Sequence, residues 1–72
     1  MDLNDELAAT TEKAKTLVGL TLGEANEWAS AEGHQIRVVR EDEQWYPVTM
    51  DLRPRRINVE LEAGRVVATS AG

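Results

Sequence analysis

The stretch "LVGLTLGEANEWASAEGHQIRVVR", residues 17–40, holds the transition on which the fold turns. Thr21 followed by Glu24 has the spacing of a capping box, in which the hydroxyl accepts from the third helical amide and the carboxylate reaches back. Leu22, Ala25, Trp28 and Ala29 then recur at helical spacing and mark one buried face. Gly33 stands where a left-handed residue ends a helix, so the pattern predicts a helix over about 22–32. Directly after it the period changes. Ile36 and Val38 alternate with Gln35 and Arg37, which predicts a half-buried strand.

Working outward, "RINVELE" at 56–62 alternates again. It places Ile57, Val59 and Leu61 inward and Arg56, Asn58 and Glu60 outward. "EAG" at 62–64 suits a tight turn, and "RVVAT" at 65–69 a closing strand. The economical arrangement is an α+β domain, one helix packed on a small sheet. Residues 1–16 lack a sustained apolar stripe, although Leu3 and Leu7 share a helical spacing. They read as a flexible N-terminal arm, with residues 17–72 as the folded domain.

Composition narrows the functions open to the chain. Its 72 residues fit one domain with a modest core, and with Trp28, Trp45, Tyr46 and no Phe that core must be aliphatic. There is no cysteine, so disulfides and thiolate metal sites are excluded. The net charge of -5 opposes a nucleic-acid partner, because phosphate binding rests on clustered Lys and Arg. No apolar run is long enough to span a bilayer, and none follows Met1 as an export signal would. The expectation is a cytoplasmic protein if Met1 is the natural start, and a secreted one if a leader was removed.

Catalytic chemistry is poorly served. His34, the single histidine, follows the helix-ending Gly33 and reads as an exposed polar residue rather than a general base. Ser30 and Ser70 lack a His–Asp arrangement, and the acidic residues are scattered rather than clustered for a metal. No enzyme activity, cofactor or metal is expected.

The segment from 41 to 54, "EDEQWYPVTMDLRP", has no period and carries both prolines, so it reads as a long loop. Connections of that length in compact domains are usually functional or disordered. Pro47 biases Tyr46 toward extended backbone, Pro54 does the same for Arg53, and Val48 and Thr49 are stiff β-branched residues. Met50 sits at the centre as an apolar side chain between polar Thr49 and Asp51. A loop built this way is held stretched, like a protease substrate. Trp45 and Tyr46 read equally well as an anchor for the loop or as contacts for a partner. Arg53, Arg55 and Arg56 are expected to serve nearby acceptors.

"LVGLTLGEA" at 17–25, "IRVV" at 36–39, "VTMDLRPRRINVE" at 48–60 and the terminal Gly72 together resemble the potato inhibitor I family. This is the barley subtilisin/chymotrypsin inhibitor type, and the arginine-bearing strand is most similar to the family's microbial serine protease inhibitors. The resemblance covers residues 17–72. It implies an α+β domain whose exposed reactive-site loop joins two parallel strands and enters the active site of a subtilisin-like or chymotrypsin-like serine protease. It implies a monomer that needs no cofactor.

Carried over position by position, the loop comprises Pro47, Val48, Thr49, Met50, Asp51, Leu52 and Arg53. Met50 matches the P1 residue, Asp51 the P1′ residue and Thr49 P2, which makes Met50–Asp51 the reactive bond. Arg56 matches an arginine that supports the loop from the strand beneath, with bonds expected to both Thr49 and Asp51. Asn58 stands where the family carries a second supporting arginine. The alternative expectation is a non-inhibitory protein-interaction module on the same scaffold, using Trp45 and Tyr46.

Overall fold

The capping box at Thr21 forms as its spacing predicts. In the computed structural model, which describes residues 2–72, the Glu24 amide donates to Thr21 Oγ1 at 3.2 Å and the Thr21 amide donates to Glu24 Oε1 at 2.9 Å. This starts helix α2, Leu22–Glu32, and Gly33 ends it with φ at 75°. Strand β1, Gln35–Glu41, follows at once. A two-residue strand β2, Gln44–Trp45, folds back on it, and β3, Arg56–Glu62, and β4, Arg65–Ala71, complete the sheet.

The sheet runs in the order β2-β1-β3-β4. Its central pair, β1 and β3, is parallel, and the two outer pairings are antiparallel. Parallel neighbours force the connecting chain to travel back along the sheet. Here that return path is β2 and the irregular segment 46–55, which ends in a turn at 54–55, not a helix. The β3–β4 hairpin turns through Ala63 and Gly64, both at positive φ (51° and 78°), which suits the right-handed twist of the flanking strands.

One face of the sheet is apolar. Ile57, Val59, Leu61 and Val66 are buried there with Leu17, Ala14 and Ala25, and Ile36, Val38 and Trp28 pack alongside. Burying each large aliphatic side chain contributes about 1.5–3 kcal/mol, so the inward alternation of β3 stabilises the domain directly.

Residues 2–16 do not form the arm that their weak periodicity suggested, and the described residues hold two α-helices rather than one. Helix α1 spans Leu3–Ala14. The Asp2 side chain caps it by accepting from the Asp5 amide at 2.9 Å, and Asp5 and Glu6 in the first turn favour its N-terminus electrostatically. α1 packs on β3 and β4 while α2 packs on β1. Its buried positions are Thr10 and Ala14, small residues that permit close approach without making an apolar stripe. A short 3-10 turn, Lys15–Leu17, then brings Leu17 into the core. Met1 lies outside the described residues.

His34 also differs from expectation. It is half-buried, its ring stacked on Trp28 with centroids 5.4 Å apart and its Nδ1 3.1 Å from the Arg55 carbonyl oxygen. An aromatic neighbour and a backbone acceptor account for its place at the end of α2.

Candidate functional site: a tethered, exposed loop

The segment between β2 and β3 is exposed throughout residues 46–53. Met50 stands out, with 96% of its surface accessible. Val48 and Leu52, two residues to either side, are also exposed at 45% and 53%. Positions 48, 50 and 52 are thus exposed and apolar, while Thr49, Asp51 and Arg53 are bonded to one another.

Further bonds hold the loop's entry. The Tyr46 amide donates to the Val39 carbonyl at 3.0 Å, prolonging the β1–β2 pairing, and the Tyr46 hydroxyl donates to Glu41 Oε1 at 3.0 Å. That bond to a carboxylate pushes the Tyr46 phenol up from its ordinary value. Trp45, 64% exposed, lies under the Arg40 guanidinium at 5.6 Å. So Tyr46 anchors the entry, whereas most of the Trp45 surface stays open.

The exit is fixed by both helices. Thr10 Oγ1 of α1 donates to the Pro54 carbonyl at 2.6 Å. Arg55 Nε donates to the Gly33 carbonyl at 3.0 Å and its Nη2 to the Glu32 carbonyl at 3.4 Å. A cation on the last carbonyls of α2 satisfies groups the helix leaves open and opposes its dipole.

Asp51 is the hub of the centre. Its Oδ1 accepts from the Thr49 hydroxyl, its Oδ2 accepts from Arg53 Nε at 2.7 Å and from Arg56 Nη1 at 3.4 Å, and its backbone carbonyl accepts from Arg56 Nη2 at 2.8 Å. The Thr49 hydroxyl first, then the two arginines, hold its carboxyl well below the usual carboxylate range. Arg56 Nε meanwhile donates to the Gly72 carbonyl at 2.9 Å. One guanidinium therefore joins the loop to the end of β4. The three arginines of "RPRR" all serve local acceptors.

Three sequence expectations change here. Arg56 does face away from the apolar core, yet it is only 6% exposed, because the loop and the β4 end lie over it. Arg56 also reaches Asp51 without reaching Thr49. Thr49 is held from β1 instead, where Arg37 Nη1 donates to its Oγ1 at 3.2 Å. Asn58 makes no hydrogen bond to the loop. Its Oδ1 accepts from Arg37 Nε at 2.8 Å and its Nδ2 donates to Ser70 Oγ at 3.3 Å.

Sequence reasoning missed Arg37. Alternation placed it outward, but what sets its role is the sheet register, in which Arg37 pairs with Asn58. An Asn standing where the family resemblance implies an arginine was the one signal that a cation had to come from elsewhere.

No protein-family model matches the chain, and no curated protein matches it.

Proposed function

We propose that this chain is a serine protease inhibitor of the potato inhibitor I type. It binds the active site of subtilisin-like or chymotrypsin-like proteases through a substrate-like loop. Met50 is P1, Asp51 is P1′, and the reactive bond is Met50–Asp51. One observation carries the reading: Met50 is 96% exposed on a loop whose flanking residues are tied down by arginines of the sheet beneath.

The chemistry follows from that arrangement. A protease accepts an extended strand, and an unbranched apolar Met50 suits an apolar S1 pocket. The protease serine attacks the Met50 carbonyl, forming an acyl-enzyme as the Asp51 amine departs. In a free peptide the amine diffuses away and water completes hydrolysis. Here Arg56 keeps the Asp51 carbonyl and carboxylate in place, so the amine remains beside the acyl carbon and religation competes. Pre-ordering the loop also reduces the entropy lost on association. The inhibitor acts as a monomer and needs no metal or cofactor.

Open Trp45 favours a second reading, a non-inhibitory module that holds another protein through the β2 edge. A titration of subtilisin and chymotrypsin separates the two. An inhibitor abolishes activity at equimolar ratio and is slowly cleaved between Met50 and Asp51. An interaction module leaves both enzymes active.

A further inference from the structure

We propose that Arg37 is a positioning residue for the acyl side of the Met50–Asp51 bond, and that Asn58 aims it. The functional consequence rests on the inhibitor reading, whereas the tether itself belongs to the free protein.

The two sides of the bond are held from different strands. Asp51, after the bond, is held by Arg56 of β3. Thr49, before Met50, is held by Arg37 of β1. A longer bond of 3.5 Å from Arg37 Nη1 to the Thr49 carbonyl reinforces it. Arg37 alone is a flexible side chain with many rotamers. Asn58 removes that freedom by accepting from Nε, which turns the far end of the guanidinium toward Thr49. Asn58 is itself fixed, because it donates to Ser70 on β4 and pairs with both Arg37 and Ser70 in the sheet register.

The result is a closed circuit. It runs from Ser70 through Asn58, Arg37, Thr49, Asp51 and Arg56 to the Gly72 carbonyl, two residues beyond its start. An arginine at position 58 would put both tethers on β3. Here they stand on neighbouring parallel strands about 4.8 Å apart. After cleavage each new end keeps its own tether, and the spacing between the ends is set by the sheet rather than by the loop.

The test uses the full chain and the variants Arg37→Ala, Arg37→Lys, Asn58→Ala and the Arg37→Ala/Asn58→Ala double. Backbone amide heteronuclear NOE values for residues 48–52 report loop order in the free protein. The ratio of cleaved to intact chain, brought to equilibrium with catalytic subtilisin, reports how well the ends are held. Arg37→Ala is expected to lower the NOE at Thr49 and Met50 more than at Asp51, and to raise the ratio roughly tenfold. Lysine should not rescue it, since one ammonium on a flexible stem does not reproduce a fork that engages Asn58 and Thr49 together. Asn58→Ala should move both readouts the same way by less, and the double variant should be no worse than Arg37→Ala.

Unchanged NOE values in Arg37→Ala, full rescue by lysine, or strictly additive effects in the double variant would each overturn the proposal. A parent chain that inhibits neither protease, while Arg37→Ala still loosens Thr49, retains the tether and removes the inhibitor reading.

Discussion

Arg56 Nη2 lies 2.8 Å from the Asp51 carbonyl oxygen, and it does so from a strand position where alternation alone points a side chain to water. The loop folds over the polar face of the sheet, so an arginine outside the apolar core is nevertheless sealed from solvent. Arg56→Ala removes the bonds to Asp51 and to the Gly72 carbonyl together. Burial means that this costs stability as well as loop order. We expect a loss of about 1–3 kcal/mol in chemical denaturation, with the helices and sheet retained by circular dichroism. Under the proposed inhibitor function, the variant should be consumed as a substrate over hours in protease titrations, whereas the parent should persist. A variant as long-lived as the parent would show that Arg56 does not hold the leaving side.

Specificity is expected to follow the side chain at position 50. Met50→Lys should weaken inhibition of chymotrypsin and create inhibition of trypsin, whose S1 pocket presents an aspartate to a cation. Met50 makes almost no contact with its own protein, so the thermal midpoint should move by no more than about 2–4 °C, as for other surface substitutions of about 0.5 kcal/mol or less. Inhibition constants for both enzymes that ignore the exchange would remove Met50 from P1.

Asp51 predicts a pH dependence with a definite sign. Its carboxyl is held below the ordinary value of 3.8, chiefly by the Thr49 hydroxyl and then by Arg53 and Arg56. A depressed folded value means that the ionised form stabilises the native state fully above 3.8, and that this contribution falls away as pH drops toward the folded value. The stability difference between the parent and Asp51→Asn should therefore be flat from neutral pH down to about pH 4 and should narrow below it. Denaturation curves for both proteins across that range decide the matter, and a difference that vanishes well above pH 4 contradicts the assignment.

Thr10 ties α1 to the loop exit through the Pro54 carbonyl. Thr10→Val keeps the buried shape and removes the donor. It is expected to destabilise the fold by about 1–2 kcal/mol and to raise amide exchange at Leu52, Arg53 and Arg55 more than in β3. Exchange confined to α1 would mean that the helix does not brace the loop.

The parts legible in the sequence are those fixed by local chemistry. Thr21 with Glu24, Gly33, and the alternation of Ile57, Val59 and Leu61 each act within a few residues, and each led to the correct element. The solvent position of Met50 was readable because prolines and β-branched neighbours constrain the backbone around it. What escaped was set by contacts between distant segments. α1 buries Thr10 and Ala14, which carry too little apolar surface to produce a helical stripe. The register of β1 on β3 shifts between Val38 and Arg40. Arg37 meets Asn58 in the regular stretch before that shift, and the shift then brings Arg40 opposite Glu60. The period of β1 does not tell which residues of a distant strand it will face, and so the partner of Asn58 stayed hidden.

The path taken by the β1–β3 connection has a consequence for a severed chain. A cut at Met50–Asp51 leaves α1, α2, β1 and β2 on one fragment and β3 and β4 on the other. The central parallel pair then spans both pieces, and so does the core, with Ala14, Leu17 and Ala25 in the first and Ile57, Val59, Leu61 and Val66 in the second. Neither piece owns a complete apolar interior. Such a nicked molecule is a heterodimer joined by its own hydrophobic core, and its cohesion obeys mass action: it persists when concentrated and comes apart on dilution.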